Sequence, residues 1–269
     1  MKSLSEKAAQ NLAAIRKKKP LIHNITNYVV MNYTANALLA MGASPVMAHA
    51  SNEVEEMVSI AGALVLNIGT LTDDWIASMI KAGKKASESK TPIILDPVGS
   101  GATSLRTNAA KRIIQETRVS VIRGNASEIL SLRKDDSKTK GVDSIHSVEA
   151  AEKSAKILAG ELNSVLAVTG QTDLITDGKH VIRVSNGHPL MGYVTGTGCT
   201  ATATIGAFLS VDEDPVSAAA TALAFFGLAG EVAAKNAFAP GSFMIAMLDA
   251  LYTITPEELL RKCKFQNGT

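Results

Sequence analysis

The sequence predicts an α/β fold, a three-layer sandwich with a mostly parallel central sheet, helices on both faces and an antiparallel edge. Two observations carry this. Short aliphatic runs that stop at Gly, Asn or Asp, the pattern of strands covered on both faces, alternate with stretches of helical period. After the last such run come a hairpin signature and then an almost wholly helical remainder. The 269 residues show neither a low-complexity linker nor an internal repeat. A single domain over 1–269 is therefore expected.

Taken in order, apolar positions recur at helical spacing over residues 4–16 and again over 28–39, where Asn27 stands as a candidate cap. The strand-like runs are ALVLNIG (63–69), PIILDPVG (92–99), VSVIRGN (119–125) and SVLAVTG (164–170). Helical stretches at 72–88, 105–117 and 148–159 lie between them, which makes βαβ units and a parallel sheet. DLITDG and HVIRVSNG flank Asp177-Gly178, a pair suited to a tight turn between two antiparallel strands. Beyond Thr197 the pattern predicts helices at 197–209, 215–236, 242–251 and 256–264, with Pro215 and Pro256 at their starts. APGSF (239–243) is expected to be a helix-capping turn.

Composition removes several functional classes. Apolar residues make up 46% of the chain and charged ones 19%, a balance opposite to that of disorder. The net charge of +2 gives no broad surface for nucleic acid or anionic lipid. Arg16-Lys17-Lys18-Lys19, the strongest charge run, is read as the solvated end of the first helix, favoured there by the helix dipole. No apolar segment is seen to reach the roughly 18 to 20 residues of a membrane span, so a cytoplasmic protein is expected, with no membrane partner. Cys199 and Cys263 lie in different contexts without metal-ligand spacing, and no disulfide is expected between them.

In an open parallel sheet, ligands bind at the carboxyl ends of the strands. Those ends are Asn67 with Gly69-Thr70, Asp96-Pro97-Val98-Gly99, the segment from Arg123 to Glu128, and Thr169-Gly170. Asp96 and Glu128 are two acids on one rim, where a hard cation such as Mg²⁺ could take their oxygens directly or through water. Each acid alone also reads simply, Asp96 as a strand end and Glu128 as a favourable helix start. VTGTGC (194–199) leads a glycine turn into a helix of small residues, a place where free backbone N–H groups hold an anion. It lacks the Lys-Ser/Thr of a Walker loop and the following strand and acid of a dinucleotide fingerprint.

Together RGNASE, ILDPVGSGAT, AVTG and VTGTGC resemble the ribokinase-like superfamily of small-molecule kinases. More narrowly, LIHNITNYVVMNYTANALLAMGASPVMA, ALVLNIGTL and NGHPLMGYVTGTGCTATATIGAF are similar to the hydroxyethylthiazole kinases of thiamin salvage, in the same order from about Leu21 to Phe243. The resemblance implies a ribokinase-like fold and ATP-dependent phosphorylation of 4-methyl-5-(2-hydroxyethyl)thiazole, with ATP and Mg²⁺ as cofactors. It places Arg123, Thr169, Asn125 and Gly170 at the nucleotide and Asp96 and Glu128 at the metal. Gly196, Thr197 and Gly198 become the anion hole facing the transferred phosphoryl, with Gly196 shared by the substrate pocket. Met47, Asn27, Val29, Gly69 and Thr70 are the other pocket positions. It also implies a homotrimer with active sites at subunit interfaces.

Most ribokinase-like kinases carry Asp after the second glycine, to take the proton of the attacking hydroxyl. Here Cys199 stands in its place, a departure characteristic of the thiazole kinases. Phosphoryl transfer depends on positioning and charge stabilisation more than on a strong base, so the family implies that Cys199→Asp keeps or raises turnover. The helix start lowers a thiol's pKa and a nearby triphosphate raises it, which leaves the protonation state of Cys199 open. His23, His49 and His188 fall near the pocket in the family pattern and are read as structural. The competing activities are kinase action on a hydroxymethylpyrimidine and a nucleotide-dependent dehydratase of the same fold. Either is expected to carry an acid at position 199.

Overall fold

The structure, a computed structural model, describes residues 2–133 and 148–267; His146 lies outside them. Among the described residues, nine strands form one sheet in the order β2-β1-β3-β4-β5-β6-β7-β8-β9. The strands are β1 (Leu21–Ile25), β2 (Ser44–Val46), β3 (Ala63–Asn67), β4 (Ile93–Asp96), β5 (Val119–Asn125), β6 (Val165–Thr169), β7 (Asp173–Thr176), β8 (Val181–Val184) and β9 (Phe265–Asn267). All pairs from β2 to β6 are parallel, and β6–β7, β7–β8 and β8–β9 are antiparallel. The mostly parallel sheet with an antiparallel edge is thus present, and β7 and β8 form the hairpin around Asp177-Gly178. That turn is held by Asp177 Oδ1, which accepts from the N–H groups of Lys179 and His180.

Besides a 3-10 turn at Pro189–Tyr193, four elements go beyond the sequence expectation. β1 carries His23 and Asn24 inside an apolar strand, β2 and β9 are three residues each, and a seven-residue helix, α3 (Val54–Ile60), lies before β3. All are too short or too polar to give a periodic signal. The expected helix start at Asn27 is corrected. Helix α2 spans Met31–Met41 with Val30 at its N-cap and no capping side chain, because Asn27 is committed elsewhere. The Arg16–Lys19 run is corrected in part. Helix α1 (Leu4–Lys18) ends in exposed Lys17 and Lys18, but the Arg16 guanidinium donates to the carbonyls of Leu251 and Tyr252, which lie in the last turn of α10 (Pro240–Thr253).

Helices cover both faces. On one side α1, α2, α8 (Thr197–Leu209), α9 (Pro215–Ala234) and α10 pack over Ile22, Val65, Ile94, Val121 and Ala167, with α11 (Pro256–Lys262) against α1. On the other, α3, α4 (Asp73–Ser89), α5 (Ser104–Glu116), α6 (Ala126–Leu130) and α7 (Val148–Leu162) enclose Leu64, Leu66, Ile93, Leu95, Ile122 and Leu166. Alternate residues of each strand thus face opposite layers, the period-2 rule at work. Helix α9 is long and apolar enough to span a membrane by length and composition, contrary to the sequence expectation. Here 89% of its apolar window is buried, as in a core helix.

Helix α8 lies on the middle of the sheet. A Cβ on Gly206 would stand 2.9 Å from Val65 Cγ2 and 3.4 Å from Ile22 Cγ2, so glycine sets how closely this helix approaches. The small residues that precede it serve the same contact. The approach brings the N-terminus of α8 over the carboxyl ends of β3, β4 and β5.

Candidate active site

β1 lies between β2 and β3, so the chain leaves it in opposite directions across the sheet. A crevice at such a reversal is where open α/β sheets bind ligands. A continuous polar chain crosses it. Asn27, just after β1, donates its Nδ2 to Asn67 Oδ1 at the end of β3, at 2.8 Å. Asn67 Nδ2 donates to Asp96 Oδ2 at the end of β4, at 3.0 Å. The same carboxylate oxygen accepts from Thr202 Oγ1 of α8 at 2.8 Å. Asn27, Asn67, Asp96 and Thr202 are all buried. Asn27 Nδ2 also reaches Cys199 Sγ, at 3.5 Å.

Gly196 is the N-cap of α8, at φ +84°, where glycine carries no Cβ penalty. A Cβ there would also meet Val30 Cγ1 at 2.7 Å. The next N–H groups, on Gly198 and Cys199, have no protein partner among the described residues. They form an open donor pair at a thirteen-residue helix start. Arg123 lies directly against it. A Cβ on Gly198 would come within 2.6 Å of the Arg123 Nη1 atom. The guanidinium donates through Nη2 to Thr169 Oγ1 at 2.7 Å and stands 3.8 Å from Asp96 Oδ2, while its buried Nε has no partner.

Beyond Arg123 opens a cavity of about 820 Å³, bounded by β5, β6, the loop 185–188, a short 3-10 turn (Pro189–Tyr193) and α9. Arg123, Asn125, Thr169, Gly170, Thr197 and Gly198 line it. The structure thus brings together the residues expected at the nucleotide and the anion hole. Asn125 caps α6, its Oδ1 accepting from Glu128 N, while its backbone N–H donates to Glu128 Oε2. Gly170 donates to Asp173 Oδ1. The expected substrate positions lie outside this cavity. Asn27 and Gly69 meet at the polar chain, where the absent side chain of Gly69 leaves room for the Asn27 amide. Val29 is 69% exposed, and Met47 and Thr70 are partly buried in loops that follow β2 and β3.

Burial sets the protonation of the site. It pushes the Asp96 carboxyl up to about 6, against the opposing pull of Arg123. It pushes the Cys199 thiol up to about 11, helped by the charge of Asp96, while Asn67, Asn27 and Arg123 pull the other way. Burial and the nearby carboxylate thus both favour the neutral thiol. Asp173, in the large cavity, is raised to about 6, again by burial first. Cys263 is raised to about 12 by burial, as expected for a packing thiol.

A hard cation fits the donor set at Asp96. Its Oδ1 is buried and without a hydrogen-bond partner, an orphaned oxygen. Glu128 is more constrained, because Oε1 accepts from Gly99 N and Oε2 from Asn125 N; each oxygen keeps one lone pair. Among the described residues no group of three or more His, Cys, Asp or Glu side chains could hold an ion by itself. A pair of carboxylates completed by phosphate and water oxygens is the usual manner of Mg²⁺.

Asn67, Thr202, Asp173 and Arg106 were not among the predicted site residues. Asn67 was visible as a strand end, but its two-sided role depends on neighbours in three dimensions. Arg106 ties the loops after β3 and β4 together by donating to the carbonyls of Ile68, Val98 and Gly69. The three histidines read as structural each have a packing or hydrogen-bond partner, although His188 also lines the large cavity. His23 donates Nε2 to Ala48 O, His49 packs on Trp75, and His188 caps the 3-10 turn.

A model described as the Hydroxyethylthiazole kinase family matches residues 12–257 of this chain. A protein of Desulfotalea psychrophila named hydroxyethylthiazole kinase is 64% identical over 269 residues, covering all of this chain and 98% of its own. One of the same name from Desulfosudis oleivorans is 55% identical, with 94% of each chain covered. Among solved structures, the hydroxyethylthiazole kinase protein of Pyrococcus horikoshii superposes with a TM-score of 0.89 at 45% identity, over 97% of this chain and 99% of that one. The pyridoxal kinase of Staphylococcus aureus, with AMP-PCP and pyridoxal, shares the fold at a TM-score of 0.65 and 18% identity, over 93% of this chain and 98% of that one.

Proposed function

This chain belongs to the hydroxyethylthiazole kinase family, and we propose that it transfers the γ-phosphoryl of ATP to the hydroxyl of 4-methyl-5-(2-hydroxyethyl)thiazole, as a step of thiamin salvage in the cytoplasm. One observation carries the reading. The open N-terminus of α8 stands between a large cavity lined by Arg123 and Thr169 and, on its other side, the Asn27–Cys199 contact. ATP fits the first side and a small alcohol the second.

In that arrangement the Gly198 and Cys199 N–H groups hold oxygens of the transferred phosphoryl, where negative charge accumulates. Arg123, fixed by Thr169, neutralises the same charge from the side. Asp96 and Glu128 would hold Mg²⁺, which supplies charge neutralisation across the phosphate oxygens. Asn125, Gly170 and Asp173 border the nucleoside end. Cys199, neutral at pH 7, orients the hydroxyl with Asn27 and does not deprotonate it in advance. Met47, Val29, Gly69 and Thr70 complete the alcohol's pocket. Tyr28 and Val29, 63% and 69% exposed beside Asn27, suit a homotrimer in which a neighbouring chain closes this pocket; light scattering measures that mass.

The assay is ADP release with ATP, Mg²⁺ and a panel of small alcohols. Turnover is expected with the thiazole alcohol. A pyrimidine alcohol used in its place, with none of the thiazole consumed, would sink the assignment. Within the same assay, Cys199→Asp is expected to hold or raise turnover, since an ionised carboxylate accepts the hydroxyl proton more readily than a thiol with a pKa of about 11. An inactive Cys199→Asp beside an active Cys199→Ala, both folded, would contradict that role.

A further inference from the structure

We propose that Asn67 is a positioning residue that fixes which end of the Asn27 amide faces the alcohol, and so makes the pocket a hydrogen-bond acceptor at that point. The inference rests on the proposed kinase activity and goes beyond it, since it assigns polarity to one contact.

The orientation follows from groups that can act in only one sense. The Gly69 backbone N–H can only donate, and it lies 2.9 Å from one end of the Asn67 amide. That end must be Oδ1. The other end meets Asp96 Oδ2 at 3.0 Å. This end is then Nδ2, and Asp96 Oδ2 accepts from it as it does from Thr202 Oγ1. The Gly69 N–H thus fixes the orientation of Asn67, which could otherwise be reversed without changing its shape. Asn67 Oδ1 then meets Asn27 at 2.8 Å and requires the Asn27 nitrogen there.

Asn27 Nδ2 has two hydrogens. One goes to Asn67 Oδ1 and the other toward Cys199 Sγ. Its donors are used up. Asn27 Oδ1 has no protein partner among the described residues and is not sealed off as a buried orphan. The Asn27 side chain therefore offers the pocket an acceptor and no donor. A ligand hydroxyl that donates its proton to this oxygen turns a lone pair of its own oxygen outward, the lone pair that must attack phosphorus. Were the Asn27 amide reversed, its NH₂ would occupy that lone pair instead. Buried polar groups of fixed sense discriminate well between a ligand that has the matching group and one that lacks it.

The test compares the thiazole alcohol with 5-ethyl-4-methylthiazole, which lacks the hydroxyl, in the unsubstituted protein, Asn67→Ala, Asn27→Ala and the double variant. Asn67→Ala is expected to lower kcat/KM for the alcohol about tenfold. The inhibition constant of the ethyl analogue and the KM for ATP should stay within about twofold. In the Asn27→Ala background the Asn67 substitution should cost clearly less than it does alone, because the part of its effect that passes through Asn27 is already lost and only the part through Asp96 remains. Should the alanine variant not fold, Asn67→Ser, too short to bridge Asn27 and Asp96, takes its place. Equal weakening of alcohol and analogue, or additive losses in the double variant, would overturn the positioning role and leave the kinase reading standing. Absence of turnover in the unsubstituted protein would overturn both.

Discussion

Gly198→Ala is expected to lower kcat/KM by about 100-fold while leaving the unfolding midpoint almost unchanged. Position 198 is in the first turn of α8, where alanine is intrinsically the better helix former by up to about 1 kcal/mol. The obstacle is the guanidinium of Arg123, with Nη1 at 2.6 Å, Nη2 at 3.1 Å and Cζ at 3.3 Å from the new methyl group. These atoms end a long side chain and can move, so the fold tolerates the change. Arg123 then leaves Thr169 Oγ1 and the front of the open N–H pair. Losing one preorganised stabiliser of transition-state charge typically costs two to three orders of magnitude in rate. Steady-state kinetics beside a urea melt decide the matter. A variant with native activity would show that Arg123 and the helix start do not work on the same group.

The second large effect has opposite signs for stability and for turnover. Asp96→Asn is expected to lower turnover by at least about 100-fold and yet to stabilise the protein at neutral pH. Asp96 is fully buried and its carboxyl is raised from 3.8 to about 6, chiefly by burial. A raised acid binds its proton more tightly in the folded state. The protein is then most stable, as far as this group is concerned, below about pH 4, and loses that stability as pH rises through about 6. The loss amounts to roughly 3 kcal/mol at most, from about two pKa units. Asparagine imitates the protonated acid. Its oxygen can keep the bonds from Asn67 and Thr202, and its NH₂ replaces the unpartnered Oδ1. The stability difference between variant and parent should therefore grow from pH 4 to pH 6 and stay level above. A flat difference would show that Asp96 does not carry a burial cost.

How much of this was readable beforehand follows from what kind of signal each feature leaves. β3 to β6 announce themselves because a strand covered on both faces must be aliphatic along its length, and α8 and α9 because their small residues are set by close approach to the sheet. β1, β2 and β9 could not be seen. β1 carries a histidine whose partner, Ala48 O, is supplied by the fold, and an asparagine that bonds back to Ile22 O of its own strand. Site residues at strand ends were legible for the same reason that the strands were: Asp96, Arg123 and Thr169 each stop an apolar run. Asn27 entered the candidate pocket through the family resemblance, while its reading as a helix cap failed, since a cap and a crossing hydrogen bond look alike in sequence. Asn67 and Thr202 have meaning only through three elements meeting, and no spacing rule encodes that. The push of burial and Asp96 on the Cys199 thiol arises only in the fold and leaves no mark in the sequence.

The most direct measurement is the phosphorus spectrum of a reaction containing the protein, ATP, Mg²⁺ and the thiazole alcohol. One phosphate monoester on the hydroxyethyl group should appear for each ADP formed, with little inorganic phosphate. Inorganic phosphate in place of the ester, or no ADP at all, would contradict the assignment of the Asn27–Cys199 side of α8 to the accepting alcohol.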